Sequence, residues 1–186
     1  MSYEVYKPCI GSTVGYLMKL LKAAYGENIS DAETLRARMY AKKEEIVQKD
    51  GFPQIPGVKE AIKRLHDEGF RLEVASSSAG YYIGRVLDAL EIRQYFECYT
   101  SGEEVEHPKP APDTFLRAME KLNLKPEDCI IVEDSTNGGK AAAAAGAKCV
   151  WFHNPDSGDQ QIPHAVLTIT SWSPENVDKL IDLMHA

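Results

Sequence analysis

Two runs, Cys129–Val132 and Cys149–Phe152, are apolar at every position, and this feature leaves few folds open to the chain. A strand with one wet face alternates apolar and polar residues, so a strand without alternation is covered on both faces, as in parallel sheets. Arg71–Ala75 reads as another short strand, and Val166–Ile169 as an edge strand. Between them the period changes to three and four. Val58, Ala61, Ile62 and Leu65 form one helix face ended by Gly69, and Ile83, Val86, Leu87 and Leu90 form the next. Phe115, Ala118, Met119 and Leu122 form a third face, Gly138–Ala145 is an Ala-rich helix suited to close packing on a sheet, and Val177, Leu180 and Ile181 mark a closing helix. Strand and helix in strict alternation predict an α/β fold, a Rossmann-like doubly wound parallel sheet.

The first fifty residues follow another pattern. Val14, Leu17, Met18 and Leu21 at i, i+3, i+4 and i+7 predict an amphipathic helix capped by Ser12 or Thr13 and ended near Gly26. A second helix is expected from Ser30 to Lys49, mostly polar, with Leu35, Met39, Tyr40, Ile46 and Val47 as its larger apolar residues. The Asp50-Gly51-Phe52-Pro53 and Pro56-Gly57 breaks then divide the chain into a partial helical cap, 1–51, and an α/β core, 52–186. A length of 186 residues suits one domain with a small second lobe. The net charge of -7, with no basic run beyond Lys42-Lys43, excludes nucleic acid and anionic membranes as expected partners. Four cysteines without Cys-x-x-Cys spacing are expected as reduced thiols. No segment has the make-up of a signal peptide or a membrane span, so a cytoplasmic protein is expected, monomeric if the fold is complete.

Ligands of open parallel sheets bind beyond the carboxyl ends of the strands. Three unusual sequences are expected there. Ser76-Ser77-Ser78 offers hydroxyls and backbone N–H groups to an oxyanion, or simply caps a helix. Glu133-Asp134, two adjacent carboxylates at a strand end, call for a cation, and oxygen ligands favour Mg²⁺; the plainer reading is a solvated turn. In His107-Pro108-Lys109-Pro110-Ala111-Pro112, prolines stiffen the mount of a single ammonium group, or form an ordinary Pro-rich loop. Their joint occurrence in this order favours chemistry.

This ordered set, Ser76, Lys109 in Lys-Pro-Ala-Pro, and Glu133-Asp134-Ser-x-Asn137-Gly138, resembles motifs two, three and four of the haloacid dehalogenase superfamily. Within it the chain is similar to the phosphatases and phosphomutases related to β-phosphoglucomutase, over essentially its whole length, including Gly11 and Leu20–Gly26 of the cap. The resemblance implies that an aspartate attacks phosphorus, with Mg²⁺ bridging nucleophile and phosphate. It implies catalytic roles for Ser76, which would bond the phosphoryl oxygens, and Lys109, which would neutralise phosphate and nucleophile. Ser76, Ser77, Ser78, Lys109 and Asn137 would contact substrate, Asp134 would ligate the metal directly, and Glu133 would do so directly or through water. The implied partner is a small phosphorylated metabolite.

The family opens with a strand ending in Asp-x-Asp, and these 186 residues contain no Asp-x-Asp. The amino-terminal strand, central in the sheet, is therefore expected to be missing, together with the nucleophile. The expected function is a Mg²⁺-dependent phosphatase of sugar phosphates or other small phosphometabolites. Alternatives are a hexose-phosphate mutase, disfavoured by Ala79-Gly80 after the serines, and a catalytically dead remnant that binds a ligand or partner. A dehalogenase needs no metal, so the acidic pair counts against it. The strands at Arg71–Ala75 and Cys129–Val132 should flank a gap with unpaired backbone groups. They could close on each other, recruit segment 3–10, or stay open and leave the chain partly unfolded; the third outcome is expected because Lys7-Pro8 makes a poor central strand.

Overall fold

The computed structural model describes residues 2–26 and 32–185. The expected helix start at Ser30 lies outside the described residues. Among the described residues five strands carry the core: β1 (Glu73–Ser76), β2 (Cys98–Ser101), β3 (Ile130–Glu133), β4 (Lys148–Phe152) and β5 (Leu167–Ile169). The helices are α1 (Tyr3–Tyr6), α2 (Val14–Tyr25), α3 (Ala32–Asp50), α4 (Val58–Asp67), α5 (Gly80–Ala89), α6 (Asp113–Leu122), α7 (Thr136–Ala145) and α8 (Pro174–His185). None of the described helices is long and apolar enough to cross a membrane.

All strand pairs are parallel, as the apolar runs require. Glu73 to Ser76 stand opposite Cys98 to Ser101, Ile130 to Glu133 opposite Lys148 to Trp151, and Val150 to Phe152 opposite Leu167 to Ile169. The larger sheet is covered on both sides. Val150, Phe152 and Ile169 pack with Ala61 and Leu65 of α4 and Val177, Leu180 and Ile181 of α8. On the other side Ile131 and Cys149 meet Phe115 and Met119 of α6 and Ala141, Ala142 and Ala145 of α7. The alanines let α7 lie close: Ala141 and Ala142 are fully buried.

The sheet is divided. One part has the order β1-β2, the other β3-β4-β5, and β1 and β3 are not paired. Of the three resolutions of the gap, closure does not occur. Recruitment does not occur either: segment 3–9 forms α1 and a 3-10 turn over Lys7–Cys9, where Pro8 loses no needed hydrogen bond. β1 and β3 thus keep open edges toward each other. Glu97 N donates to Leu72 O on the β2 side. Carbonyls alternate along a strand, so Ala75 O lies on the slot side. Helix α6 packs against β1, β2 and α7 and so joins the two parts from one face.

The amino-terminal helices have a core of their own, Cys9, Leu17, Met18 and Leu21. Thr13 caps α2 by accepting from Tyr16 N, and Gly26 ends it with φ of 76°. Glu44 of α3 fastens this part to α5 through both oxygens, which accept from Arg85 at 2.7 and 3.0 Å. All four cysteines are free thiols, Cys9 and Cys149 buried and Cys98 and Cys129 half-buried.

Candidate active site

A cavity of about 810 Å³ opens at the carboxyl ends of β1 and β3, walled on its other side by the amino-terminal helices. Ser76 is the last residue of β1, Glu133 the last of β3, and Asp134 the first beyond it. The Ser76 hydroxyl oxygen accepts from Ser78 N at 3.2 Å. Its own proton therefore remains for a ligand oxygen. Ser78 also lines the cavity, its carbonyl held by Ser101 Oγ at 2.7 Å.

Lys109 sits under the cavity with only 4% of its side chain exposed, paired with the carboxylate of Glu133, itself 9% exposed. Its Nζ also donates to Ala75 O at 3.1 Å and lies 4.2 Å from the centre of the Phe115 ring. The lysine thus spans the slot, from the open edge of β1 to the end of β3. Glu133 is held equally firmly. Its Oε1 receives Lys109, and its Oε2 accepts from Asp134 N, Ser135 N and Ser135 Oγ at 3.2, 3.3 and 3.0 Å. A carboxylate at the positive end of α7 is also favoured by the helix dipole. This placement needs glycine at 138, because a Cβ there would lie 2.0 Å from the Glu133 carboxyl carbon. Ser135 completes the turn by capping α7, accepting from Gly138 N at 3.0 Å.

Asp134 presents a different state. Its Oδ2 accepts from Ser157 Oγ and, at 3.4 Å, from Asn154 Nδ2, while its Oδ1 has no hydrogen-bond partner among the described residues. The acidic pair is therefore asymmetric: Glu133 has spent both oxygens on the protein, and Asp134 keeps one for a ligand. No group of three or more His, Cys, Asp or Glu side chains that could hold a metal occurs among the described residues.

Two expected substrate contacts are engaged elsewhere. Asn137 does not line the cavity; its Nδ2 gives both protons to the chain, to Pro8 O and Ile10 O at 2.8 Å each. It is a clamp on the amino-terminal segment. Ser77 reaches the cavity wall but its hydroxyl donates to Gly11 O at 2.9 Å. Gly11, at φ of 76°, passes so near Ser135 that a Cβ would lie 2.0 Å from its Oγ. Pro8–Gly11 is thereby tied to both halves of the divided sheet. The sequence offers Ser135 as a helix cap but does not point to Ser157 or Asn154 as supports, although Asn154-Pro155-Asp156-Ser157 reads as a turn capped by its own asparagine. Nor did it find Lys43, which reaches the same cavity from α3.

Known proteins match this arrangement. The sequence model of the family "haloacid dehalogenase-like hydrolase" matches residues 1–152. Hexitol phosphatase B of Escherichia coli is 32% identical over 115 residues, 62% of this chain and 51% of that protein. A phosphoglycolate phosphatase of Nitrosospira multiformis is 31% identical over 146 residues, 77% of this chain and 64% of that protein. The chain thus spans between half and two thirds of these relatives. Among solved structures, the β-phosphoglucomutase of Clostridium difficile superposes with a TM-score of 0.76 at 20% identity, covering 98% of this chain and 83% of that one, a likeness of fold. With most of the chain matched and the motif residues gathered at one cavity, the protein belongs to the haloacid dehalogenase-like hydrolase family.

Proposed function

We propose that the chain provides the phosphate- and metal-binding part of a Mg²⁺-dependent phosphatase of sugar phosphates or similar small phosphorylated metabolites, acting through a phospho-aspartyl intermediate whose aspartate is not among these 186 residues. The observation that carries this reading is that a buried Lys109 ammonium and a Ser76 hydroxyl with no acceptor among the described residues line one cavity. A buried cation and an oriented hydroxyl suit an anion whose charge spreads over oxygens during transfer. Ser76 binds a phosphoryl oxygen, Lys109 neutralises the phosphate, and Glu133 fixes where the ammonium sits. Mg²⁺ would draw charge from the phosphoryl oxygens. Asp134 suits it through Oδ1, whereas Glu133 reaches it only through water or by giving up a present bond. Residues 1–51 serve as the cap over the core at 52–186, and the free cysteines suit a reducing cytoplasm.

Titration calorimetry with inorganic phosphate tests the reading. Ser76→Ala should weaken binding about tenfold, the worth of one hydrogen bond to a charged group; a protein that binds no phosphate overturns it. The chain alone should hydrolyse no p-nitrophenyl phosphate above background. Metal-dependent turnover by rigorously purified protein, abolished in Lys109→Ala, would show that the nucleophile lies within these residues after all.

A further inference from the structure

Lys43 belongs to the helical wall of the cavity that holds Ser76 and Lys109. Its neighbour Lys42 pairs with Glu45 at 2.8 Å, and Lys59, Lys63, Lys121 and Lys179 each have a carboxylate partner. Lys43 has none among the described residues; the adjacent Glu44 turns to Arg85. Instead the Lys43 ammonium lies 3.5 Å from the centre of the Tyr82 ring. That ring is buried and held edge-on against Phe52, 5.6 Å away at 75°, so it is a fixed platform. It also stands at the start of α5, four residues after Ser78. Met39 and Tyr40, one turn earlier on α3, line the same wall.

Glu103, Glu133 and Asp134 also line the cavity, and no ion pair joins Lys43 to any of them among the described residues. An aromatic face steadies an ammonium without satisfying its N–H donors. The side chain remains reachable by solvent, yet desolvation lowers its pKa below the ordinary 10.5, a loss that an incoming anion would reverse. The volume, about 810 Å³, admits a small metabolite spanning floor and wall.

We propose that Lys43 selects phosphate monoesters bearing a second anionic group, a carboxylate or a further phosphate, which its ammonium receives while Ser76 and Lys109 hold the first phosphate. The inference rests on the reading that the cavity binds a phosphate monoester, and it adds the class of monoester.

Calorimetric titration of the 186-residue protein separates the two claims. The probes are glycerol 2-phosphate, with no second anion, 2-phosphoglycolate, with a carboxylate, and a linear sugar bisphosphate. The wild type should bind at least one doubly anionic probe about tenfold more tightly than glycerol 2-phosphate, the worth of one charge-assisted bond. That ratio should fall toward one in Lys43→Met, survive in Lys43→Arg, and shrink as salt is raised. Whichever doubly anionic probe keeps the larger ratio tells carboxylate from phosphate. A ratio near one in the wild type, or a tenfold ratio that persists in Lys43→Met, overturns the role of Lys43 and assigns it to fastening α3 onto Tyr82. Failure of all three probes to bind overturns the phosphatase reading itself, and this inference with it.

Discussion

Replacing Lys109 with methionine keeps an unbranched apolar stem and removes one charge. The ammonium and the Glu133 carboxylate are almost wholly buried, at 4% and 9% exposure, so solvent cannot take over for the missing partner. Breaking a buried pair by removing one ion costs about 3–5 kcal/mol. Ala75 O, on the open edge of β1, also loses its bond, an added cost of about 1–3 kcal/mol. The three hydrogen bonds on Glu133 Oε2 remain and offset part of this, which sets the expected loss at about 3–5 kcal/mol. That is a large share of the roughly 5–15 kcal/mol of a typical domain. Equilibrium urea unfolding of the wild type, Lys109→Met, Glu133→Gln and the double variant measures it. The double variant should lose clearly less than the sum of the two single losses, because Glu133→Gln removes the stranded charge. A loss below about 1 kcal/mol in Lys109→Met, or strict additivity in the double variant, would refute the buried-pair argument.

Three other outcomes are expected. Gly138→Ala should destabilise by about 1–3 kcal/mol through the clash with Glu133, although alanine favours helices; Gly15→Ala in α2, where the nearest atom is 3.8 Å away, should instead stabilise by about 0.5–1 kcal/mol, and urea unfolding compares the two. Asp134→Asn should abolish calorimetric Mg²⁺ binding in the presence of phosphate, and unchanged binding would remove Asp134 from the metal site. Burial, helped by Glu73 at Cys98 and by Glu133 at Cys149, pushes both thiols from 9.0 to about 11. The folded state then holds more protons than the unfolded one between these values, so stability is constant below about pH 9 and falls as pH rises through 11, and thiolate absorbance of the folded protein should stay low until near pH 11.

Much of this was legible in the residues. Continuous apolar runs placed β3 and β4 within one or two residues, because burial on both faces leaves no room for polar side chains. β2 escaped notice: Cys98-Tyr99-Thr100-Ser101 looks polar, yet Thr100 and Ser101 are buried, Thr100 bonded to Glu73 across the strand pair and Ser101 to Ser78 O. Ser76, Lys109 and Asp134 were findable because each stands at a fixed point of the strand-helix rhythm. What each group does with its second hydrogen bond was not. Asn137 resembles a ligand contact in sequence, and only the path of Pro8 and Ile10 shows its amide committed. Lys43 and Tyr82 are far apart in the chain, on a helix whose polar make-up gives no stripe to orient it, so their meeting was invisible.

The divided sheet gives the slot a direction. Ser76 and Glu133 both end at the cavity, so β1 and β3 point their carboxyl ends the same way. An extended segment entering between them in the parallel sense would bring its last residues to the chemistry; one entering in the opposite sense would bring its first. Either would claim the carbonyl of Ala75, which Lys109 now occupies. That carbonyl has two lone pairs, so it can accept from the segment and from Lys109 together, and the ammonium that reaches the phosphate site would then be anchored to the inserted segment as well as to β1 and Glu133.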